Sequence, residues 1–174
     1  MVVLKKNETR NDLKAVRDWH VWLHHENQRG ERAHLRRCNN LQQIMMQRSF
    51  FRLCRALPDL ETYHLEGLAL VAGLLAWVEQ STNADLPALL GKTKPGGNTP
   101  RFSELRFQRL LAAETSEDFL QTFRRAIVQA GKAMDPVLLA DAILHWEAQQ
   151  RRPDWYTGTR QWQYRFAKPY YTQV

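Results

Sequence analysis

The sequence predicts an all-α fold, a single-domain helical bundle of about seven to nine helices. Three observations predict it. Apolar residues recur at spacings of three and four along most of the chain, and period-2 alternation is missing. Cap-plus-proline signals stand at Asp85-Leu86-Pro87, Thr99-Pro100 and Asp135-Pro136. Glycine and proline concentrate in residues 91–100, which hold three of the eight glycines and two of the seven prolines. That stretch reads as a loop joining an N-terminal half, about 10–90, to a C-terminal half, 101–174, within one domain of residues 1–174.

The first helix is expected over residues 11–25, with Leu13, Val16, Trp19 and Leu23 on one face. Gly30 then separates it from a short turn, residues 31–38. A third element spans 41–56 and stops before Pro58. The fourth, 61–80, is capped by Asp59 and apolar nearly all round, which marks a helix at the centre of a bundle. Asp85-Leu86-Pro87 opens a short helix ending at Gly91. Thr99-Pro100 starts a helix to about residue 113. Thr115-Ser-Glu-Asp118 resembles a capping box for a helix ending at Gly131. Asp135-Pro136 starts a helix to about 150, before Pro153. The Trp/Tyr-rich tail holds one more short helix near 159–166 and packs onto the bundle or a partner, with Trp77 and Trp146 in the core.

At 174 residues the chain suits one domain that buries roughly 70% of its unfolded surface. Its 44% hydrophobic content excludes a disordered chain. The longest apolar run, residues 68–78, is far short of the ~20 residues that span a bilayer. Met1-Val2-Val3-Leu4-Lys5-Lys6 shows no charged lead before a long apolar region. Cys38 and Cys54 are too few for a disulfide framework, and free thiols fit a reducing cytoplasm. A membrane partner is not expected.

Charge carries the functional signal. Twenty-five Lys+Arg against 18 Asp+Glu give a formal charge of +7, and 18 of the bases are Arg, whose planar fork suits phosphate. The charge comes in blocks: +1 over residues 1–28, +6 over 29–55, −5 over 56–90 without a base, +4 over 91–112, −3 over 113–147 and +4 over 148–174. Segregation of this kind predicts a basic face, provided that folding gathers the basic blocks.

Helical spacing aligns Arg48, Arg52 and Arg55 in one stripe, opposite a side with Ile44, Phe51 and Cys54. Arg106 and Arg109 pair at i, i+3, with Arg101 in the first turn of the same helix. Arg36-Arg37 and Arg151-Arg152 are doublets near helix ends, where backbone amides also face a phosphate. Arg124 and Arg125 lie inside a helix, so they point about 100° apart and one of them faces a ligand. These side chains suit sequence-independent neutralisation of a phosphate backbone.

Other motifs carry less. His20 and His24 stand one helical turn apart, but no third ligand follows at a diagnostic spacing, and a solvated polar face is the better reading. Gly91-Lys92-Thr93 lacks the upstream glycine and strand of a phosphate-binding loop. The acids form no catalytic pair: Asp59 and Asp135 read as caps, and Glu117 and Asp118 suit the positive end of their helix. No cofactor, metal site or enzymatic activity is expected. Three functional classes follow: a nucleic-acid-binding structural subunit, an adaptor docking an acidic protein, and a metal-dependent nuclease built on His20 and His24. The first is favoured.

Gly30-Glu-Arg-Ala-His-Leu-Arg-Arg37, Leu68-Ala-Leu-Val-Ala-Gly-Leu-Leu-Ala76, Phe102-Ser-Glu-Leu-Arg-Phe-Gln-Arg-Leu-Leu111 and Phe123-Arg-Arg-Ala-Ile127 occur in that order, before Leu139, Ile143, Trp146 and the terminal Tyr170-Tyr171. This series resembles the small subunit of the type I-E CRISPR Cascade surveillance complex, over about residues 11–171. The resemblance implies a non-enzymatic helical subunit present in two copies. It implies contacts with crRNA, target DNA and the backbone and large subunits, and a role in holding the displaced strand during R-loop formation. The family's basic surface carries over to Arg36, Arg37, Arg101, Arg106, Arg109, Arg124 and Arg125, and less directly to Arg151 and Arg152.

Overall fold

A computed structural model describes residues 2–7, 10–93 and 96–174. Lys94 and Pro95 of the expected loop lie outside the described residues. The all-α expectation holds, with more helices than expected: eleven among the described residues. In chain order they are α1 (Asp12–His24), α2 (Arg29–Arg37), α3 (Leu41–Met45), α4 (Arg48–Ala56), α5 (Pro58–Tyr63), α6 (Leu65–Leu75), α7 (Leu86–Gly91), α8 (Glu104–Leu111), α9 (Ser116–Gln129), α10 (Pro136–Arg151) and α11 (Trp162–Tyr171).

Three of the expected helix starts carry a local side-chain cap. The Asn11 side chain accepts from the Lys14 amide, Thr115 Oγ1 from the Asp118 amide, and Asp135 from the Val137 and Leu138 amides. Gly131, at φ 91°, ends the turn after α9 in the left-handed conformation.

Differences arise where distant parts of the chain intervene. Residues 29–37 form a helix and not a turn. The expected 41–56 helix breaks at Gln47, which is extended (φ −87°, ψ 140°), so that α3 and α4 both pack against α6. The expected 61–80 helix breaks at His64, whose ring is tied to Glu147 of α10. Asp59 therefore sits inside α5 and pairs with Arg10 instead of capping a helix. α6 also stops at Leu75, and side chains from α1 and α2 bond the Leu75, Ala76 and Val78 carbonyls at and just beyond its end. The helix expected from Thr99-Pro100, with Arg101 in its first turn, begins only at Glu104 after the N-cap Ser103: the Arg101 and Phe102 amides donate instead to Lys92 O and Leu90 O.

As expected, α6 is the central helix, with Gly67 to Leu75 all buried. It packs against α10, α4, α3 and α9. Gly73 permits the close approach of α3, since a Cβ there would lie 2.6 Å from Ile44 Cδ1. After α6, Gln80–Ser81 pairs in parallel with Ala133–Met134, a two-residue ladder too short for any sequence periodicity to announce. The tail helix α11 is longer than expected. It buries Trp162, Phe166 and Tyr170 against α7 and α10, with Tyr170 stacked on Phe107 at 3.8 Å. Gly91 lets this helix close on α7: a Cβ there would meet the Tyr170 carbonyl at 2.5 Å. No helix among the described residues is long and apolar enough to cross a membrane.

Candidate nucleic-acid interface

The twelve arginines singled out by the sequence separate into three chemical states. Arg37, Arg48, Arg52, Arg55, Arg101, Arg106, Arg109, Arg125 and Arg152 have no carboxylate within ion-pair distance among the described residues. All of them are exposed except Arg101, which is half-buried. Arg36 and Arg151 are engaged with acids, and Arg124 is buried.

Arg124 is the clear correction. Only 8% exposed, it donates through Nη2 to Cys38 O at 2.5 Å. Burial lowers its pKa, and its Nε has no partner. Its guanidinium is thus turned into the fold and away from solvent. The expected divergence of the doublet holds, with Arg125 outward. The same bond, between residues 86 apart, ties the end of α2 to the middle of α9 and brings the two doublets into one neighbourhood.

Arg36 is engaged by protein groups in this fold. Its Nε donates to Ala76 O at 2.8 Å, its Nη2 to Glu79 at 3.1 Å, and its guanidinium lies 5.2 Å from the Trp77 ring centre. Glu79 is held by Lys132 as well, at 3.0 Å, and these cations keep its carboxyl below its ordinary pKa. Arg106 reaches Gln129 at the end of α9 at 3.5 Å, so α8 joins the same neighbourhood. Arg37, Arg125, Arg106 and Arg109 thus stand on three helices, α2, α9 and α8, linked by direct side-chain contacts.

A second group lies on α4. Arg48, Arg52 and Arg55 are exposed as the spacing predicts, and Arg52 rests 4.5 Å from the Trp22 ring centre. Phe51 does not lie opposite them. It is 53% exposed and stands within the stripe, while Phe50, Leu53 and Cys54 take the buried face. At 100° per residue Phe51 falls 60° from Arg48, so this was legible in the sequence. A third group closes α10: Arg151 approaches Glu147 at 3.5 Å, and Arg152 stacks on Trp155.

His20 and His24 are not a solvated face. Their rings stack at 4.3 Å and their Nε2 atoms meet Val78 O at 2.8 Å and Leu75 O at 3.2 Å. With Arg36 they bond carbonyls at and just beyond the end of α6. Burial, then the adjacent His20, pushes the His24 pKa down to about 4. Burial likewise raises the Cys38 thiol and pushes Cys54 up to about 11, so both behave as small apolar side chains.

The family model for CRISPR-associated protein Cse2 matches residues 31–171. The fold is similar to a chain in the crystal structure of E. coli Cascade bound to a PAM-containing dsDNA target. The TM-score is 0.62 and the identity 18%, over 92% of this chain and 94% of that one. No match was found among curated proteins.

Proposed function

The chain belongs to the CRISPR-associated protein Cse2 family, and from that premise we propose that it is a non-catalytic small subunit of an RNA-guided Cascade complex in the cytoplasm. It works beside crRNA, target DNA, the backbone and large subunits and a second copy of itself. Its task is to grip nucleic-acid backbone without reading sequence. The observation that carries this reading is the set of unpaired arginines on α2, α8 and α9: Arg37, Arg106, Arg109 and Arg125. A guanidinium already held by a carboxylate gains little from a phosphate, whereas one facing water releases a counterion from DNA on binding.

The stripe on α4 and Arg101 and Arg152 extend the same chemistry. R-loop formation exchanges one duplex for another of similar stability, so a few backbone contacts to target or displaced strand tip the balance. Neutralising about six phosphates gives log K a slope of roughly −5 against log[salt] on duplex.

The test is the double substitution R106A/R109A in the full chain, with binding to DNA of several sequences measured across a salt series. Affinity falls for all sequences alike, and the slope flattens by nearly two on duplex. A loss confined to one sequence, or an unchanged slope, refutes backbone gripping. Absence of binding at low salt favours an adaptor whose basic face docks an acidic protein.

A further inference from the structure

The chain leaves a second chemistry unused by backbone gripping. α10 ends at Arg151, and Pro153–Trp155 forms one 3-10 turn, closed by the Trp155 amide donating to Arg152 O at 3.1 Å. The turn holds Trp155 at the surface, 65% exposed. Tyr63 at the end of α5 is 64% exposed. Both rings line one cleft of about 470 Å³ between α5, the N-terminal segment and the end of α10, a volume suited to a small ligand.

The charges around that cleft are predominantly positive. Lys5, Arg10, Arg151 and Arg152 line it. Lys5 and Arg152 have no carboxylate partner among the described residues. Asp59, the acid among the lining residues, is paired with Arg10 at 3.0 Å. Behind the cleft, Glu147 is hydrogen-bonded to His64 at 2.6 Å, and Arg151 at 3.5 Å counters its charge. Arg152 lies 4.6 Å from the Trp155 ring centre, a cation–π contact that sets a cation beside the exposed indole.

We propose that this cleft holds one unpaired nucleotide, its base stacked on Trp155 and its phosphate met by Lys5 and Arg152. Exposed aromatic rings among unpaired cations are the requirements for binding a single strand, because every base offers a π-face and every link a phosphate. An acidic peptide would use the cations but leave the two rings without a function. The inference deepens the proposed function and rests on it: the helical arginines hold phosphates, and this cleft adds a preference for strands whose bases are unstacked.

The experiment uses the full chain and two probes of equal length, oligo-dT and an otherwise identical strand interrupted by abasic sites. Wild-type protein binds oligo-dT more tightly. Trp155→Ala weakens oligo-dT binding about fivefold or more, as expected for one lost base–aromatic stack, and leaves the abasic strand and the salt slope unchanged. Trp155→Phe restores most of the loss. Equal wild-type affinity for both strands, or equal losses on both with Trp155→Ala, overturns the nucleotide cleft while leaving backbone gripping intact. Failure of the wild type to bind either strand refutes the underlying reading of the function instead. Because Trp155 is exposed, an unchanged melting temperature verifies that the variant is folded.

Discussion

Acidification reports on the way α6 is terminated. His20 and His24, stacked on one another, face the Val78 and Leu75 carbonyls beyond and at the end of α6. Charging His24 would place a cation beside buried surface, His20, Arg32 and Arg36, and its pKa falls from the ordinary 6.5 to about 4. The unfolded chain therefore binds a proton between pH 6.5 and 4 that the folded chain refuses. Stability from this site is complete above pH 6.5 and is lost as pH falls toward 4. The full difference corresponds to at most about 3 kcal/mol, and solvent screening of the partly exposed ring reduces the expectation to ~1–2 kcal/mol. Asp85 opposes it, since burial raises its carboxyl to about 6 and protonation there favours the fold. The informative quantity is accordingly a difference between proteins. His24→Gln retains a donor for Leu75 O but does not titrate. Urea unfolding of wild type and variant at pH 7.0 and 4.5 should show the wild type losing ~1–2 kcal/mol more than His24→Gln. Equal losses would refute the assignment of a neutral, helix-capping imidazole.

Other substitutions probe the remaining supports. Asp141, buried on α10, accepts the Val2, Val3 and Leu4 amides at 2.7, 2.8 and 2.8 Å. Asp141→Ala should cost about 3 kcal/mol in urea unfolding and release the Val3 and Leu4 amides to fast hydrogen exchange. Arg36→Ala should cost ~1–2 kcal/mol through the lost bonds to Ala76 O and Glu79, whereas Arg37→Ala should stay within about 0.5 kcal/mol and weaken DNA binding. Gly91→Ala should destabilise more than Gly73→Ala, because the obstacle is the Tyr170 backbone at one site and a movable Ile44 side chain at the other. Thermal melts of the two variants rank them directly.

The sequence by itself determined the helical class, the central place of the apolar α6, the caps at Thr115 and Asp135, and the exposed stripe of Arg48, Arg52 and Arg55. Each depends on residues within a turn or two of one another, so period and capping chemistry suffice. Phe51 was legible by the same rule, as its angular position shows. The tertiary structure alone decided where helices break and which arginines remain available. His64 interrupts a helix because of Glu147, 83 residues away, and Arg124 turns inward to a carbonyl 86 residues distant. Arg36 is withdrawn by Ala76 and Glu79, 40 and 43 residues on. A guanidinium has the same local preferences whether it faces phosphate, carboxylate or carbonyl, and only the folded chain determines which of them it meets.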